Sequence, residues 1–398
     1  MKITMISNYI NHHQIPFSDE LYDKIGDDYC FIQTEPMEEE RVKMGWGLDA
    51  SKIPYVKFLY LDEEACREKI RTCDILLVGW MEREDLIKER LSKNLLTIRI
   101  SERLYREGQY KAISPRGLIR KYKEHTKYRK SNVYLLCAGA YVPSDFHLVR
   151  AYPDKMYRFG YFPKTRYYKE NELFEKKPPL TAVQIVWAGR FMALKHPEFV
   201  TKIAKDLKEA GYTFHIHMIG SGELEKQVKD EIQNFGLQEE ITLYGFLSPE
   251  EVRDIMETCH IHLFTSNYLE GWGAVVNEGM NSGLAEVVNS EVGCAPFLIK
   301  HGKNGLIYRE GDYPDFRDCV IRLFQEKEMI TRLGKEAYRT ITEEWNAKHA
   351  AEELFRFYEG FQNGAIIPPL GGPFSKAPVI APRKMYRRMI EEQKKGTE

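Results

Sequence analysis

The stretch IHLFTSNYLEGWGAVVNEGMNSG, residues 261–283, contains a short apolar strand, a glycine-containing loop and the first turns of a helix. Gly271 and Gly273 leave room for a ligand to approach the backbone closely. The first N–H groups of the following helix have no partner inside that helix, so its N-terminus favours an anion such as phosphate. A strand, a loop and a helix in this order form one unit of a parallel sheet covered by helices. The stretch therefore predicts an α/β fold with an anion site at this loop.

The same alternation of short apolar strands and helical stretches continues on both sides of this stretch. Strands are predicted at KITMIS (2–7), CDILLVG (73–79), LLTIRI (95–100), VYLLCAGA (133–140), VQIVWAG (183–189), FHIHMIG (214–220) and ITLYG (241–245). Strands this short and this uniformly apolar are typical of parallel sheets that are buried on both faces. The predicted fold class is therefore α/β, with two doubly wound units in tandem.

The length of 398 residues is too great for one ordinary core, because domains hold about 150 residues each. We predict an N-terminal Rossmann-like domain over residues 1–163 and a second one over 183–362. The segment 164–182 contains prolines and charges and follows no clear period, which is typical of an interdomain connection. Residues 363–398 are predicted to form a C-terminal tail.

The composition argues against several classes of protein. The formal net charge is −1, so no global field marks a nucleic-acid binder. The N-terminus lacks the apolar run of a signal peptide, and no stretch approaches the about 20 apolar residues that span a bilayer. Seven scattered cysteines without a CxxC pair predict neither a disulfide framework nor a metal site. These features predict a cytoplasmic protein.

Two carboxylates flank the glycine loop. Glu270 directly precedes it, and Glu278 lies about two turns into the predicted helix, where its side chain can point toward the same mouth. A carboxylate there is a natural acceptor for a cis-diol such as ribose, because two hydroxyl donors meet two oxygens. The alternative is a glycine-rich loop with a solvated glutamate.

Two cations follow the strand at 183–189. Arg190 and Lys195 lie in the loop GRFMALK. Arginine offers a fork of donors and lysine a point charge, so both can converge on one anion, such as a pyrophosphate whose leaving oxygen gains charge. Taken alone, the two residues are also typical of solvated surface charges.

Two further loops follow strands of the second half. Gly220 and Ser221 lie in a GSG turn, which by itself is weak evidence for a site. Phe246 offers an apolar slot for a nucleobase, and it is equally consistent with a core residue.

Residues 183–360 resemble the C-terminal domain of the family 4 glycosyltransferases. The resemblance is carried by AGRFMALK, MIGSGELEKQV, EEITLYGFLSPEEV, FTSNYLEGWGAVVNEGMNSG, SEVGCAPFLIKHGKNGLIY and Trp345. It implies the GT-B fold, in which two Rossmann-like doubly wound domains face a central cleft. One departure lies at 283–287, GLAEV, where the family usually has Gly-x-Pro-Val. We expect the lost proline to reshape a neighbouring loop and to leave the donor motif intact.

The resemblance also implies roles for individual residues. The residue that matches Glu270 lies near the transferred sugar, and the one that matches Glu278 holds the ribose. Arg190 and Lys195 match the pair that binds the diphosphate. The predicted donor site is completed by Gly271, Trp272, Gly273, Ala274, Val275, Gly220, Ser221 and Phe246.

The implied activity is that of a retaining, metal-independent hexosyltransferase with no cofactor. The co-substrate is a UDP- or GDP-sugar, and the acceptor is a carbohydrate or lipid-linked sugar in cell-surface polysaccharide or glycolipid synthesis. Two alternatives stay open. An epimerase or hydrolase of nucleotide sugars shares Glu278 and the cations but needs no acceptor. A non-enzymatic sugar-nucleotide-binding subunit typically lacks Glu270 or the cations, which this chain has.

The N-terminal half resembles the family only in its alternation of strands and helices. Its first loop, residues 8–14, lacks the usual glycines, and Glu102 follows the strand 95–100, where many relatives place a histidine near the sugar. Glu102 and the pair His12 and His13 are therefore candidates to face the donor from across the cleft. A histidine beside such a loop is more often structural than catalytic.

Two segments are strongly basic on an otherwise neutral chain. Residues 111–130 hold eight Lys or Arg against one acid, Glu124. This run indicates a docking surface for anionic lipid or a lipid-diphosphate acceptor, or else a solvated helix. Residues 382–396 would lie on a membrane, dock on the N-terminal domain or be disordered. The predicted location is cytoplasmic, with peripheral contact at the inner face of an anionic membrane.

Overall fold

The computed structural model describes residues 1–37, 48–387 and 389. They divide into two compact units. The first consists of Met1–Lys164 and Trp345–Ile380, and the second of Thr165–Glu344 with the described residues from Ala381 onward. Each unit is built on a parallel sheet whose strands alternate with helices. The predicted α/β class with two Rossmann-like doubly wound units is therefore confirmed.

The sheet of the first unit has the spatial order β3-β2-β1-β4-β5-β6-β7 in the described residues. Its strands are β1 Ile3–Ser7, β2 Tyr29–Gln33, β3 Val56–Phe58, β4 Ile75–Val78, β5 Thr97–Ser101, β6 Val133–Ala138 and β7 Met156–Phe159. Its first helices are α1 Ile15–Ile25, α2 Glu63–Thr72, α3 Asp85–Ser92, α4 Pro115–Glu124 and α5 Val142–Leu148. Strands β1, β4 and β6 are buried along their whole length, as their apolar runs predict.

The sheet of the second unit has the order β10-β9-β8-β11-β12-β13 in the described residues. Its strands are β8 Val183–Ala188, β9 Phe214–Ile219, β10 Ile241–Leu243, β11 Ile261–Phe264, β12 Ala285–Asn289 and β13 Leu306–Tyr308. Its helices are α6 Glu170–Glu175, α7 Glu198–Glu209, α8 Glu225–Asn234, α9 Pro249–Thr258, α10 Ala274–Asn281, α11 Ala295–Leu298, α12 Tyr313–Gln325 and α13 Lys327–Arg339. The strand order reverses between β8 and β11. Sheets of this kind bind ligands at that switch point, beyond the carboxyl ends of the strands.

The last long helix, α14 Ala347–Gln362, lies in the first unit, although the sequence predicts it at the end of the second domain. Its Phe357 ring packs edge-on against Tyr134 at 5.0 Å and Tyr157 at 5.4 Å. These aromatic contacts explain why the chain returns to the first unit after Glu344. The chain then pairs with the edge strand β7, where the backbone N–H of Arg158 donates to the carbonyl of Ser375 at 2.7 Å.

The segment 164–182, predicted as an interdomain connection, is folded into the second unit from Thr165 onward. Leu173 is fully buried. The ammonium of Lys177 donates to the carbonyls of Cys259 at 2.5 Å and Ser282 at 2.9 Å, and burial lowers the pKa of Lys177 to about 7. Through Leu173 and Lys177, the segment from Thr165 onward is therefore part of the fold of the second unit.

The described part of the basic C-terminal segment docks on the second unit. The backbone N–H of Arg383 donates to Oε2 of Glu291 at 2.8 Å, and the Tyr386 hydroxyl donates to Oδ1 of Asp315 at 2.8 Å. The predicted alternative of docking on the N-terminal domain is therefore wrong for these residues. Residue 388 and residues 390–396 of this segment lie outside the described residues.

Candidate functional site

The loops that follow β8 and β11 are hydrogen-bonded to each other at the switch point of the second sheet. The backbone N–H of Asn267 donates to the carbonyl of Leu194 at 2.8 Å. The Thr265 hydroxyl donates to the carbonyl of Lys195 at 2.6 Å and accepts from the indole N–H of Trp187 at 2.8 Å. Thr265 thereby ties the backbone of the Lys195 loop to strand β8. Thr265 is a site residue that the sequence reasoning missed, because a threonine at the end of a strand gives no signal of its partners.

Lys195 and Glu270 form an ion pair, and each side chain is only 18% exposed. The Lys195 ammonium also lies 5.5 Å from the centre of the Phe264 ring. Lys195 and Glu270, which are far apart in sequence, are thus brought together at one edge of the sheet. Arg190 is different, because its side chain is exposed and has no hydrogen bond or ion pair within the described part of the chain. Convergence of Arg190 with Lys195 on one anion stays a prediction.

Helix α10 begins at this same edge. Gly273 is its N-cap and has a left-handed backbone with φ +91°. A Cβ at Gly273 would lie 2.9 Å from the Phe264 ring and 3.2 Å from Val292, so only glycine fits there without displacing its neighbours. Because Phe264 lies near both Gly273 and the Lys195 ammonium, the start of α10 and the cation are neighbours. The unpaired N–H groups of the first helical turn add positive character to this place.

One face of α10 is accessible to a ligand. The partly exposed residues of the helix are Ala274, Val275 and Glu278, and the other five are buried. Residues three and four apart in a helix share a face. The Glu278 side chain therefore lies on the same face as the first turn of the helix, as the sequence predicts.

Among the described residues, Ser282 donates to the backbone carbonyl of Glu278, and no side chain hydrogen-bonds its carboxylate. Burial raises the pKa of Glu278, and the positive charge of Arg253 opposes that rise. Arg253 is held in place by Asn281, which accepts from its Nη2 at 2.6 Å, and by Ser282, which accepts from its Nε at 3.3 Å. Arg253 lies on the neighbouring helix α9, and the sequence has no motif that pairs it with Glu278.

Gly271 and Trp272 are both buried, and Trp272 is only 1% exposed. The Trp272 indole N–H donates to Oδ1 of Asn277 at 2.8 Å. The Trp272 side chain therefore packs inside the domain, and only its backbone is suited to a ligand.

The loops after β8, β9 and β10 meet at close range. The N–H of Gly220 donates to the carbonyl of Gly245 at 2.8 Å, and a Cβ at Gly220 would lie 2.0 Å from the carbonyl oxygen of Gly189. Ser221 is exposed beside this contact. Phe246 is 64% exposed, so the alternative of a core residue is wrong. Its proposed contact with a nucleobase stays a prediction.

The departure from the family at 283–287 lies in the core beneath α10. Glu286 is in strand β12, and its Oε2 is 2.7 Å from Nδ1 of His262 on β11. Both side chains are fully buried. The residue that follows Ala285 is thus an internal strand residue, and the expected reshaping of a neighbouring loop stays a prediction. Gly279 of α10 packs directly on this pair.

Gly279→Ala is expected to lower the free energy of unfolding of the second unit by about 2 kcal/mol, because overpacking a filled core forces side chains apart. A Cβ there would lie 2.2 Å from Oε1 of Glu286 and 2.8 Å from Nδ1 of His262. Calorimetry should show a melting midpoint lowered by about 4–8 °C. The matched control is Gly117→Ala on the exposed helix α4, where a Cβ would have its nearest neighbour at 3.5 Å. A Gly279→Ala midpoint equal to that of the unaltered protein would contradict the packing argument.

In the first unit, Glu102 and His13 meet at one tyrosine. The Glu102 carboxylate accepts from the Tyr161 hydroxyl and pairs with Arg106. The His13 ring stacks on Tyr161 with ring centres 5.4 Å apart and planes 3° from parallel. Burial and the neighbouring His12 lower the pKa of His13 to about 3, so its imidazole is neutral at physiological pH. The role of either residue toward a donor stays a prediction.

Within residues 1–37, 48–387 and 389, no group of three or more His, Cys, Asp or Glu side chains is arranged to hold a metal ion.

Comparisons with known proteins concentrate on the second unit. Residues 169–340 match the family model of the glycosyl transferases group 1. The chain is 30% identical over 182 residues to the amylovoran biosynthesis glycosyltransferase AmsK of Erwinia amylovora, and the match covers 44% of this chain and 44% of that protein. It is 24% identical over 174 residues to the alpha-D-kanosaminyltransferase of Streptomyces kanamyceticus, with 44% of this chain and 45% of that protein covered. The matched stretch thus spans less than half the length of these relatives.

Solved structures match over nearly the whole chain. The structure of Anabaena Alr3699/HepE in complex with UDP is similar with a TM-score of 0.65 and 11% identity, covering 91% of this chain and all of that one. Sucrose-phosphate synthase of Thermosynechococcus elongatus is similar with a TM-score of 0.60 and 12% identity, covering 92% of this chain and all of that one. At this level of identity the likeness shows the fold, and the predicted GT-B class is confirmed.

Proposed function

Residues 169–340 belong to the glycosyl transferases group 1, and from this premise we propose that the protein transfers a hexosyl group from a nucleoside-diphosphate sugar to an acceptor hydroxyl. The observation that carries the proposal is the Lys195–Glu270 ion pair beside the start of α10. A cation, a helix N-terminus and a carboxylate at one sheet edge match the parts of a sugar diphosphate. The cation and the helix N-terminus bind the anionic phosphates, and the carboxylate accepts hydrogen bonds from the sugar hydroxyls.

The proposed donor lies along the exposed face of α10. Its ribose hydroxyls donate to the Glu278 carboxylate, to which no described side chain is hydrogen-bonded. Its diphosphate contacts Lys195, Arg190 and the first N–H groups of α10. Its base lies near Phe246 and the Gly220 and Ser221 turn. Solved structures of the same fold include complexes of one protein with UDP and with UDP-glucose, which supports a nucleoside-diphosphate sugar as co-substrate. We propose a UDP- or GDP-sugar.

In the proposed reaction, the bond between the sugar C1 and the diphosphate oxygen breaks. Lys195 and Arg190 stabilise the negative charge that develops on the leaving diphosphate. The acceptor hydroxyl attacks C1 from the face that the diphosphate leaves, and its proton passes to a diphosphate oxygen, so the anomeric configuration is retained. Glu270 accepts hydrogen bonds from sugar hydroxyls and does not act as the nucleophile.

We further propose that no metal ion or cofactor is needed. In many enzymes that break a bond to a phosphate oxygen, a divalent cation neutralises the negative charge that develops on the phosphate. Here two basic side chains and a helix N-terminus are available for that purpose.

The proposed acceptor is a carbohydrate or a lipid-linked sugar. Relatives include AmsK, named for amylovoran biosynthesis, and WcaL of Escherichia coli, whose name refers to colanic acid biosynthesis. These names support a place in cell-surface polysaccharide or glycolipid synthesis. Trp80 follows β4 at the switch point of the first sheet and is 62% exposed, which suits stacking on a sugar ring. We place the protein in the cytoplasm, in peripheral contact with an anionic membrane. No helix of the described residues is long and apolar enough to cross a bilayer.

A labelled-donor experiment tests the function. A panel of UDP- and GDP-sugars is first screened by thermal shift, because a bound donor raises the melting midpoint by mass action. The stabilising donor, labelled in its sugar, is then incubated with glycan and lipid-linked acceptors. We expect the label to move to an acceptor, with little free sugar. Label released as free sugar or moved to an epimer indicates the hydrolase or epimerase alternative, and binding without turnover indicates the non-enzymatic one.

A further inference from the structure

Helix α4, Pro115–Glu124, presents its apolar face to solvent. None of its residues is buried. Its large apolar side chains, Leu118, Ile119 and Tyr122, are 42%, 57% and 58% exposed. Their spacing puts them on one stripe of the helix, because residues three and four apart share a face. A helix on the surface of a domain ordinarily buries such a stripe.

The C-terminal end of α4 is held to the first unit. The Glu124 carboxylate pairs with Arg120 at 2.7 Å and with Lys121 at 3.1 Å, and the Glu124 side chain is only 17% exposed. The backbone carbonyl of Glu124 accepts from Nη2 of Arg99 at 3.1 Å, and Arg99 is itself buried and paired with Glu84. The C-terminal end of α4 is therefore anchored to the domain through Arg99, and the apolar stripe faces solvent.

The turn before α4, residues 109–113, also exposes apolar side chains. Tyr110 is 68% exposed and Ile113 is 80% exposed. The turn is anchored by Gln109, whose Nε2 donates to Oδ1 of the buried Asp145 at 2.8 Å. Tyr110, Ile113, Leu118, Ile119 and Tyr122 are named here the docking patch. Because both the turn and the helix are anchored, the patch is presented on a fixed backbone.

Basic side chains lie on the helix of the docking patch and in the residues that follow it. Within the described residues, five basic side chains of the segment have no acidic partner, namely Arg116, Lys123, Lys127, Arg129 and Lys130. Arg116 and Lys123 lie on α4 itself and are exposed. An apolar stripe flanked by lysine and arginine is the pattern of a helix that lies in the plane of a membrane interface. A protein partner for an apolar patch has no general need for this many unpaired cations, whereas an anionic lipid surface attracts each of them.

We propose that the docking patch inserts into the interfacial layer of an anionic lipid bilayer. The apolar stripe enters the boundary between headgroups and acyl chains, and the flanking basic residues contact lipid phosphates. The docking surface rests on the proposed function for its biological role, because an enzyme held at the membrane can reach a lipid-linked acceptor there. Vesicle binding itself requires no catalytic activity.

Sedimentation with vesicles tests the proposal on the full chain. One set of vesicles contains a zwitterionic phospholipid alone, and the other contains about one third of an anionic phospholipid. On the anionic vesicles, each basic residue near the surface contributes about 1 kcal/mol to the binding free energy. We expect binding to anionic vesicles at low salt and much weaker binding to neutral ones. The double variant Leu118→Glu with Ile119→Glu should lower the partition coefficient about 100-fold, because two inserted side chains are lost. Arg116→Gln with Lys123→Gln should lower it about 30-fold.

The matched control is Ile367→Glu with Leu370→Glu. These two residues of the first unit are 86% and fully exposed and lie outside the docking patch, so this variant should bind vesicles like the unaltered protein. Melting curves of all variants confirm folding. Absence of binding at low salt, or unchanged binding of the Leu118 and Ile119 variant, overturns the proposal. If the patch instead joins two copies of the chain, vesicle binding is absent. Light scattering then shows a dimer for the unaltered protein and a monomer for the Leu118 and Ile119 variant, which also overturns the proposal. Vesicle binding by a protein without transferase activity would refute the proposed function and leave the docking surface standing.

Discussion

Lys195→Ala is expected to lower kcat about 1000-fold, because removal of one preorganised charge-stabilising donor costs about 100- to 1000-fold in well-studied enzymes and Lys195 carries a full charge. Its side chain is only 18% exposed, and its backbone carbonyl accepts a hydrogen bond from Thr265. The charge is therefore already in position before the diphosphate begins to leave. Arg190→Ala should lower kcat less, about tenfold, because an exposed guanidinium is screened by water.

The measurement is kcat with the labelled donor at saturating concentration, together with KM. Because Lys195 stabilises charge that grows during bond breaking, we expect the loss in kcat and only a small change in KM. The matched control is Lys229→Ala in the same domain, where the lysine forms an exposed pair with Glu225 at 2.7 Å. That variant should retain full activity. A Lys195→Ala enzyme with kcat within threefold of the unaltered enzyme would remove the diphosphate site from its proposed place.

The neighbourhood of Lys195 and Glu270 could be predicted from the sequence because the topology of a doubly wound sheet decides it. Loops after β8 and β11 are adjacent whenever the strand order reverses between them. The exposed face of α10 follows in the same way from helical spacing. These inferences need only the order of the strands and the period of the helix, and both can be read from apolar patterns.

The contacts beneath and beside α10 could not be predicted in this way. Glu286 pairs with His262 across two neighbouring strands, and Arg253 approaches Glu278 from another helix. A lone charged residue in an apolar strand shows that a partner is needed, but not which residue supplies it. The placement of α14 in the first unit depends likewise on aromatic contacts with Tyr134, which are distant in sequence.

Glu278→Ala is expected to raise the Kd of the nucleoside diphosphate about 100-fold, because hydrogen bonds to a charged group contribute about 1.5–3 kcal/mol each. The carboxylate has no hydrogen-bonding side chain among the described residues, so no internal partner has to be displaced when ribose binds. Glu278→Gln keeps the shape but replaces one acceptor oxygen with a donor. It should weaken binding nearly as much. Calorimetric titration with UDP and with GDP measures both effects.

The pH dependence separates a ribose contact from a general loss of folding. Burial raises the pKa of Glu278 above its ordinary value of 4.5, and only the ionised form accepts from two hydroxyls. Affinity of the unaltered protein should therefore be full at pH values above the raised pKa and should fall as the pH is lowered through it. Glu278→Gln has no proton to gain at this position, so its affinity should lose that dependence. A Glu225→Ala control, which removes an exposed carboxylate from the same domain, should keep both the affinity and its pH profile. If Glu278→Gln and the unaltered protein show the same affinity at every pH, the carboxylate does not hold the nucleotide, and the donor lies elsewhere than along α10.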